Sequence, residues 1–360
     1  STPSNSSAAS DVYKRQGDMV IRNNTVHQGF GIQFSRVEFE NMLPGADVSV
    51  GNMIISGNSI IADNGRAIDI ASYSARNMNG GSVTFGDIQI IDNEIPPIFP
   101  TVIDIQGGVW NLTDVAVSIG QLVIIDNNMT TMMGDAIYID WWDIYDLHGA
   151  TTVVVAGARI NNNTIDASGD GIYLLWDRVG YGMYNTSSVT VGDFIIDSNI
   201  VGATGYGIYF DFYDTAYDMY DDAMATFGNF FVTNNDVISG GESIFFEWCD
   251  VGYQMYNDTY ASLGEVHIEH NTVNMTGGGW MAIEAYPVDV GEYMYGTSYL
   301  AYGDWYVDGN DVTSVGGGIY TGPEYVGYYT YDYAQVHFSD YYVRDNVIVA
   351  GNSEGLEVDY

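Results

Sequence analysis

Apolar and polar residues alternate along most of the chain in short runs broken by Gly, Asn and Asp, as in "FIIDSNIVGATGYGIYF" and "FFVTNNDVISGGESIFF". A period of two with β-branched and aromatic residues predicts strands, and no stretch holds a helical period. The runs are copies of one unit: "GDMVIRNNTV", "GNMIISGNSI", "GDIQIIDNEI", "GQLVIIDNNM", "GDFIIDSNIV", "GNFFVTNNDV", "GEVHIEHNTV" and "GDWYVDGNDV". Asn24, Asn58, Asn93, Asn127, Asn163, Asn199, Asn235, Asn271, Asn310 and Asn346 fall in register at spacings of 34 to 39 residues, mostly 36. Two positions after each of these ten asparagines stands an aliphatic residue or Met.

Nine to twelve residues after most of the asparagines, a small residue precedes Ile or Leu, as in "GIYLLWD", "SIFFEWCD" and "GLEVDY". Each unit therefore holds at least two strands. Strand and turn repeated about ten times predict an all-β solenoid of about ten rungs, each rung burying its apolar face against its neighbours. At about 4.8 Å per stacked strand, the rod is on the order of 45 Å long. An inward Asn can donate its amide to the next rung and accept from the previous one, so the asparagine column is expected to be scaffold.

"I-x-x-N-x-I" followed by "G-x-G-I-x-φ", seen in "FIIDSNIVGATGYGIYF" and "YVDGNDVTSVGGGIYT", resembles the repeat of right-handed parallel β-helix proteins of the pectin-lyase-like family. The resemblance spans residues 17–360 and implies a right-handed β-helix. Its members include polysaccharide lyases and hydrolases, epimerases, tail-spike proteins and non-catalytic surface proteins. The units here are longer than that family's usual twenty-odd residues. The surplus lies in segments such as "DRVGYGMYNTSSV" and "DTAYDMYDDAMA".

With 47 acidic and 9 basic side chains, the formal charge is −38. A polyanion of this strength excludes nucleic acid as a partner, because phosphate binding rests on Lys and Arg. No apolar run reaches the roughly 18 residues of a membrane helix, so no membrane insertion is expected in this segment. The lone Cys249, in "FFEWCD", closes no intramolecular disulfide and is read as a buried thiol.

The surplus segments predict two stripes. One is acidic, with Asp143, Asp177, Asp214, Asp250, Asp289 and Glu324; the other is aromatic, with Tyr181, Tyr217, Tyr253, Tyr293 and Tyr328 beside Met183, Met219 and Met255. Like charges one rung apart repel by about 0.9 kcal/mol per pair in unscreened water. Salt, protonation or a divalent cation must relieve this, which makes the acidic stripe a candidate calcium site, inferred from charge density alone.

Counting by two along the second strand places Trp141, Trp176, Phe212 and Trp248 inward. The same count places Tyr138, Tyr173, Tyr209, Phe245 and Tyr320 outward, beside Asp140, Asp211 and Glu247. A row of rings with carboxylates suits a polysaccharide or cell-surface glycan, and equally suits lateral packing against other copies of the chain. A glycosidase needs two carboxylates about 5 to 5.5 Å or about 6.5 to 9.5 Å apart. Asp140, Asp211 and Glu247 are the candidates, at spacings any acidic β-helix provides. The Asn-Thr-Asp, paired-aspartate and Gly-His-Gly strings of the family's hydrolases are absent, as is the calcium-aspartate and basic-residue set of its lyases. Arg178 alone is expected near the outward face, and alternation separates His267 from His270.

Within residues 17–360, seven N-glycosylation sequons, at Asn23, Asn111, Asn128, Asn162, Asn185, Asn257 and Asn274, suggest an extracellular or cell-surface setting. Residues 1–16 fall outside the repeat, and residues 6–16, "SSAASDVYKRQ", are what a common transposon-based sequencing adapter encodes. They are expected to be a disordered, non-native leader that carries the only lysine, Lys14, with residues 17–360 a single domain cut at both ends. The sequence thus predicts a surface rod with a structural or adhesive role, requiring no cofactor. A polysaccharide-degrading lyase or hydrolase is the alternative, and a calcium-dependent surface-layer module the third reading.

Overall fold

The computed structural model describes residues 13–359 apart from 28, 43, 63, 64, 99 and 352. Among the described residues every regular element is a strand, and all pairings are parallel. Two sheets have ten strands each, running from Met19–Arg22 to Tyr341–Arg344 and from Thr25–His27 to Val347–Ala350. The third, of 21 strands, covers the remaining side. The chain is a parallel β-solenoid of about nine turns joining ten rungs.

One rung shows how the sequence builds it. Phe194–Asp197 and Ile200–Ala203 form strands of the first two sheets, and Ile208–Phe212 and Met224–Phe227 belong to the third. Phe194, Ile196, Val201, Phe210, Phe212 and Phe227 turn inward into one continuous core. Trp176, Phe212 and Trp248 are buried as alternation requires; the side chain of Trp141 lies outside the described residues.

The bend between the first two strands depends on one backbone conformation. The residue before each ladder asparagine has positive φ on all ten rungs: Asn23, Gly57, Asp92, Asp126, Asn162, Ser198, Asn234, His270, Gly309 and Asp345. This left-handed region is costly for most side chains and tolerated best by Gly, Asn and Asp, which accounts for eight of the ten. The next residue, the asparagine, then points inward. Asn199 donates its side-chain amide to Asn235 Oδ1 at 2.9 Å and to the Ile160 carbonyl at 2.8 Å. Its own Oδ1 accepts from the Asn163 backbone N–H and side-chain amide, both at 3.0 Å. The pattern is unbroken from Asn24 to Asn346.

The Gly-Asp or Gly-Asn opening of the unit makes a second ladder. Asp193 Oδ1 accepts from the Asn229 backbone N–H at 2.8 Å, and Asn229 Oδ1 from that of Glu265 at 2.9 Å. At the preceding Gly228, a Cβ would meet the Gly192 carbonyl carbon at 2.7 Å, so glycine lets this corner stack closely, and Ala156 and Ser339 take the same position on two other rungs.

The surplus residues leave the third sheet and return to it. In the earlier rungs they remain strand, as in Ile137–His148, and later they become turns whose Met183, Met219 and Met255 pair through isolated bridges and fill a buried annex of the core. Residues 13–16 of the expected leader pair as a strand with Asp47–Val50, while residues 1–12 lie outside the described residues.

Replacing Asn199 by Ala removes an acceptor from two donors and a donor from a buried carbonyl, each costing about 1–3 kcal/mol when left unpaired. Chemical denaturation should show a loss of about 3 kcal/mol or more for Asn199→Ala. Asn24→Ala, in an exposed end rung, should cost less than half of that.

Candidate functional site

Outside the core, the third sheet and its excursions hold nearly all the unusual chemistry. The outward row exists, but its rings meet one another. Tyr173 stacks on Tyr209 at 4.7 Å between centroids, and Tyr138 and Phe245 pack edge-on against them at 5.2 and 5.0 Å. Tyr320 is buried, 2% exposed, beneath Trp280 and against Tyr286. The sequence predicts exposed ring faces; Tyr138, Tyr173, Tyr209 and Phe245 are half-buried by contacts between rungs, and Tyr320 is buried.

Asp211 and Glu247 are directly opposite on adjacent strands, and Asp140 is two rungs from Asp211 with Leu175 between. Asp211 accepts from the Tyr173 phenol at 3.0 Å and Glu247 from the Tyr286 phenol at 3.2 Å. Sequence reasoning missed Glu284, which takes the outward position between Phe245 and Tyr320. Glu284 is one residue after the inward Ile283, the same odd offset as the outward rings, and the alternation would have found it. Burial, then Glu242, raises the Glu284 carboxyl to about 7.

The acidic stripe has a different composition from the one predicted. Ile144 N–H donates to the Arg178 carbonyl and Arg178 N–H to that of Tyr213, which puts Arg178 between Asp143 and Asp214. Arg178, Asp214, Asp250, Asp289 and Tyr325 all have positive φ and form the repeat's second left-handed corner. Asp177 stands one position before it, and Glu324 is opposite Val288. Asp is favoured at these corners for its backbone, and the charge follows. Burial, then Asp214 and Asp289, pushes Asp250 up to about 6. Among the described residues no three His, Cys, Asp or Glu side chains converge where they could jointly hold a metal ion; the carboxylates are strung one per rung.

The aromatic stripe runs through Tyr181, Tyr217, Tyr253 and Tyr293 and ends on Tyr329 rather than Tyr328. Beside it is a longer stack absent from the sequence reading: His148, Tyr184, Tyr220, Tyr256, Tyr295 and Tyr331, at 4.7 to 5.1 Å with planes within 12°. A third column joins Phe231, His267, Tyr306 and Tyr342. His267 lies between Glu265 at 3.0 Å and Glu269 at 3.3 Å, while His270 serves the left-handed corner. Cys249 is half-buried, and burial followed by Glu247 pushes its thiol far up, so it is inert at neutral pH.

The cleft on this side is near the other end of the sheet, where four arginines, not one, reach the outward face. About 440 Å³ is lined by residues including Arg36, Arg76, Trp110, Gln106, Asp140 and Asp143. Arg76 lies over the Trp110 ring, Trp110 stacks on Tyr145, and Arg178 lies over Tyr145 at 4.5 Å. Arg66 bridges Asp69 at 3.2 Å and the buried Asp104 at 2.7 Å. Burial outweighs Arg66 at Asp104 and Arg178 at Asp143, and both carboxyls rise to about 6. Asp143 Oδ1 and Asp104 Oδ1 are buried without a hydrogen-bond partner. The pairing of these arginines with so many acids left no sequence signal, because Arg36, Arg66 and Arg76 come from rungs whose excursions lack the repeat's usual spelling.

Of the sequons, Asn23, Asn111, Asn128, Asn162, Asn185 and Asn257 are exposed and Asn274 is half-buried. Five of them, Asn23, Asn111, Asn162, Asn185 and Asn257, hold left-handed corners.

Asp104, Asp143, Asp170 and Asp250 at about 6, and Glu284 at about 7, keep their protons to higher pH folded than unfolded. Unfolded carboxyls titrate near about 4. The folded state thus binds more protons between about pH 4 and 7, and stability falls as pH rises through that window. The melting temperature at low salt should be higher at pH 4.5 than at 7.5, and Asp250→Asn should raise it at pH 7.5 only; the opposite slope would contradict the burial of these groups.

The parallel solenoid is thus common to the structure and to the resemblance read from the repeat. No family model matches the chain, and neither a curated protein nor a solved structure does.

Proposed function

We propose that the chain is a stiff rod with a structural or adhesive role at the cell surface or outside the cell, and that any contact with polysaccharide is made in the cleft at Trp110. The observation that carries this reading is the saturation of the lateral ladders. Rings stacked at 4.6 to 5.1 Å over successive rungs leave no room for a sugar between them. Their contribution is to tie rung to rung, at about 0.5–1.5 kcal/mol per pair beyond the area they bury. A surface built this way resists slippage between rungs, which is what a rod must do under lateral load. Around Trp110, arginines, carboxylates and an indole meet in a cleft, the mixture that can hydrogen-bond hydroxyls and carboxylates of a glycan.

A second reading, an enzyme acting on polysaccharide, is favoured by one observation: Asp143, beside Asp140 in the cleft, holds its proton to about pH 6 and could serve as a general acid. Asp211 and Glu247 are already engaged by tyrosines.

Immobilised acidic and neutral polysaccharides separate the two. The rod reading expects retention on a glycan that falls about tenfold or more for Trp110→Ala, with no new reducing or unsaturated ends on long incubation. Turnover lost in Asp143→Asn would establish the enzyme instead.

A further inference from the structure

Three arginines show how this protein holds a guanidinium group. Arg178 lies 4.5 Å over the Tyr145 ring, donates to Asp143 at 3.2 Å and pairs with Asp177 at 3.2 Å. Arg344 lies 5.1 Å over Tyr342 and pairs with Asp308 at 2.8 Å. Arg76 lies 5.6 Å over Trp110 and pairs with Glu38 and with Glu40 at 3.1 Å. Each time a ring face and one or two carboxylates hold the cation across adjacent rungs.

Arg178 also marks a repeated position. Its left-handed corner recurs at Asp214, Asp250, Asp289 and Tyr325. From Asp214 onward the rings and carboxylates persist, but the corner no longer supplies the cation. Where the last of these corners meet, a cavity of about 280 Å³ is lined by Asp289, Glu292, Tyr325, Tyr328 and Tyr329. Tyr325 packs edge-on to Tyr328 at 5.9 Å, Tyr328 is tilted against Tyr329 at 6.1 Å, and Tyr329 is stacked on Tyr293 at 4.9 Å. The three lining rings are about half exposed. Among the described residues neither Asp289 nor Glu292 has an ion-pair or side-chain hydrogen-bond partner; burial, then Glu324, raises the Asp289 carboxyl, and burial, then Asp289, raises that of Glu292.

We propose that this cavity seats an arginine side chain from a basic segment of a partner protein, its guanidinium stacked on the Tyr328 and Tyr329 rings and bonded to Glu292 and Asp289. The seat repeats, on an outer surface, what Arg178 and Arg344 do within the chain. Guanidinium fits better than ammonium because it is planar, weakly hydrated and able to stack and to fork its donors. A divalent cation needs about six to eight oxygens and gains nothing from the rings. The proposal does not depend on whether the cleft at Trp110 binds glycan.

The test uses the whole chain with N-acetyl-arginine amide, N-acetyl-lysine amide and calcium chloride as probes, followed by NMR of the tyrosine ring signals. The arginine probe should bind saturably and about threefold or more tighter than the lysine probe. Glu292→Gln and Tyr329→Leu should each weaken it by about threefold or more, with unchanged circular dichroism. Asp221→Asn, an exposed acid outside the cavity, should leave it unaltered. Equal binding of both probes, preferential binding of calcium, or indifference to Glu292→Gln and Tyr329→Leu would each overturn the proposal.

Discussion

The interaction on which the rest depends is the buried amide ladder from Asn24 to Asn346. Each rung's amide is donor to one neighbour and acceptor from the other, so a slip of one residue would leave buried donors and acceptors unpaired on every rung at once. Apolar packing already opposes a one-residue slip, which would turn every inward side chain outward, but a two-residue slip keeps Val, Ile and Met facing inward and is opposed chiefly by the ladder. With the ladder fixed, every other column falls into line. Tyr184, Tyr220 and Tyr256 face one another because their rungs are already aligned.

The ladder in turn requires a bend that only a left-handed residue provides, and this changes the meaning of the acidic composition. Asp92, Asp126 and Asp345 before the ladder, and Asp214, Asp250 and Asp289 at the second corner, occupy positions where Asp, Asn and Gly are the favoured residues. Asp additionally keeps a polyanionic rod soluble. Its electrostatic cost appears where corners stack: the Asp250 carboxyl is raised by its neighbours on both sides as well as by burial. Where an arginine replaces the acid, at Arg178, it draws Asp143, Asp177 and Tyr145 around itself.

The aromatic columns have a parallel logic. A tyrosine next to carboxylates holds its phenol proton tightly; Tyr220 is raised to about 12 by burial first and then by Asp218. Tyr220 therefore stays neutral and stacks on Tyr184 and Tyr256 without adding to the net charge. Among the described residues, arginines lie over rings at Trp110, Tyr145 and Tyr342.

The sequence by itself determined what recurs. The asparagine register, the inward Trp176, Phe212 and Trp248, and the outward Tyr173 and Tyr209 follow from alternation and a fixed period, because each rung repeats the same local physics. Only the tertiary structure decided what depends on stacking between rungs whose excursions differ in length. It put Tyr329 rather than Tyr328 in the column, placed Arg178 in the acidic stripe, buried Tyr320, and brought Arg36, Arg76, Trp110, Asp140 and Asp143 from separate rungs into one cleft. Those placements turn on single-residue shifts in turns. A period read from sequence averages over such shifts, whereas a hydrogen-bonded backbone must resolve each of them.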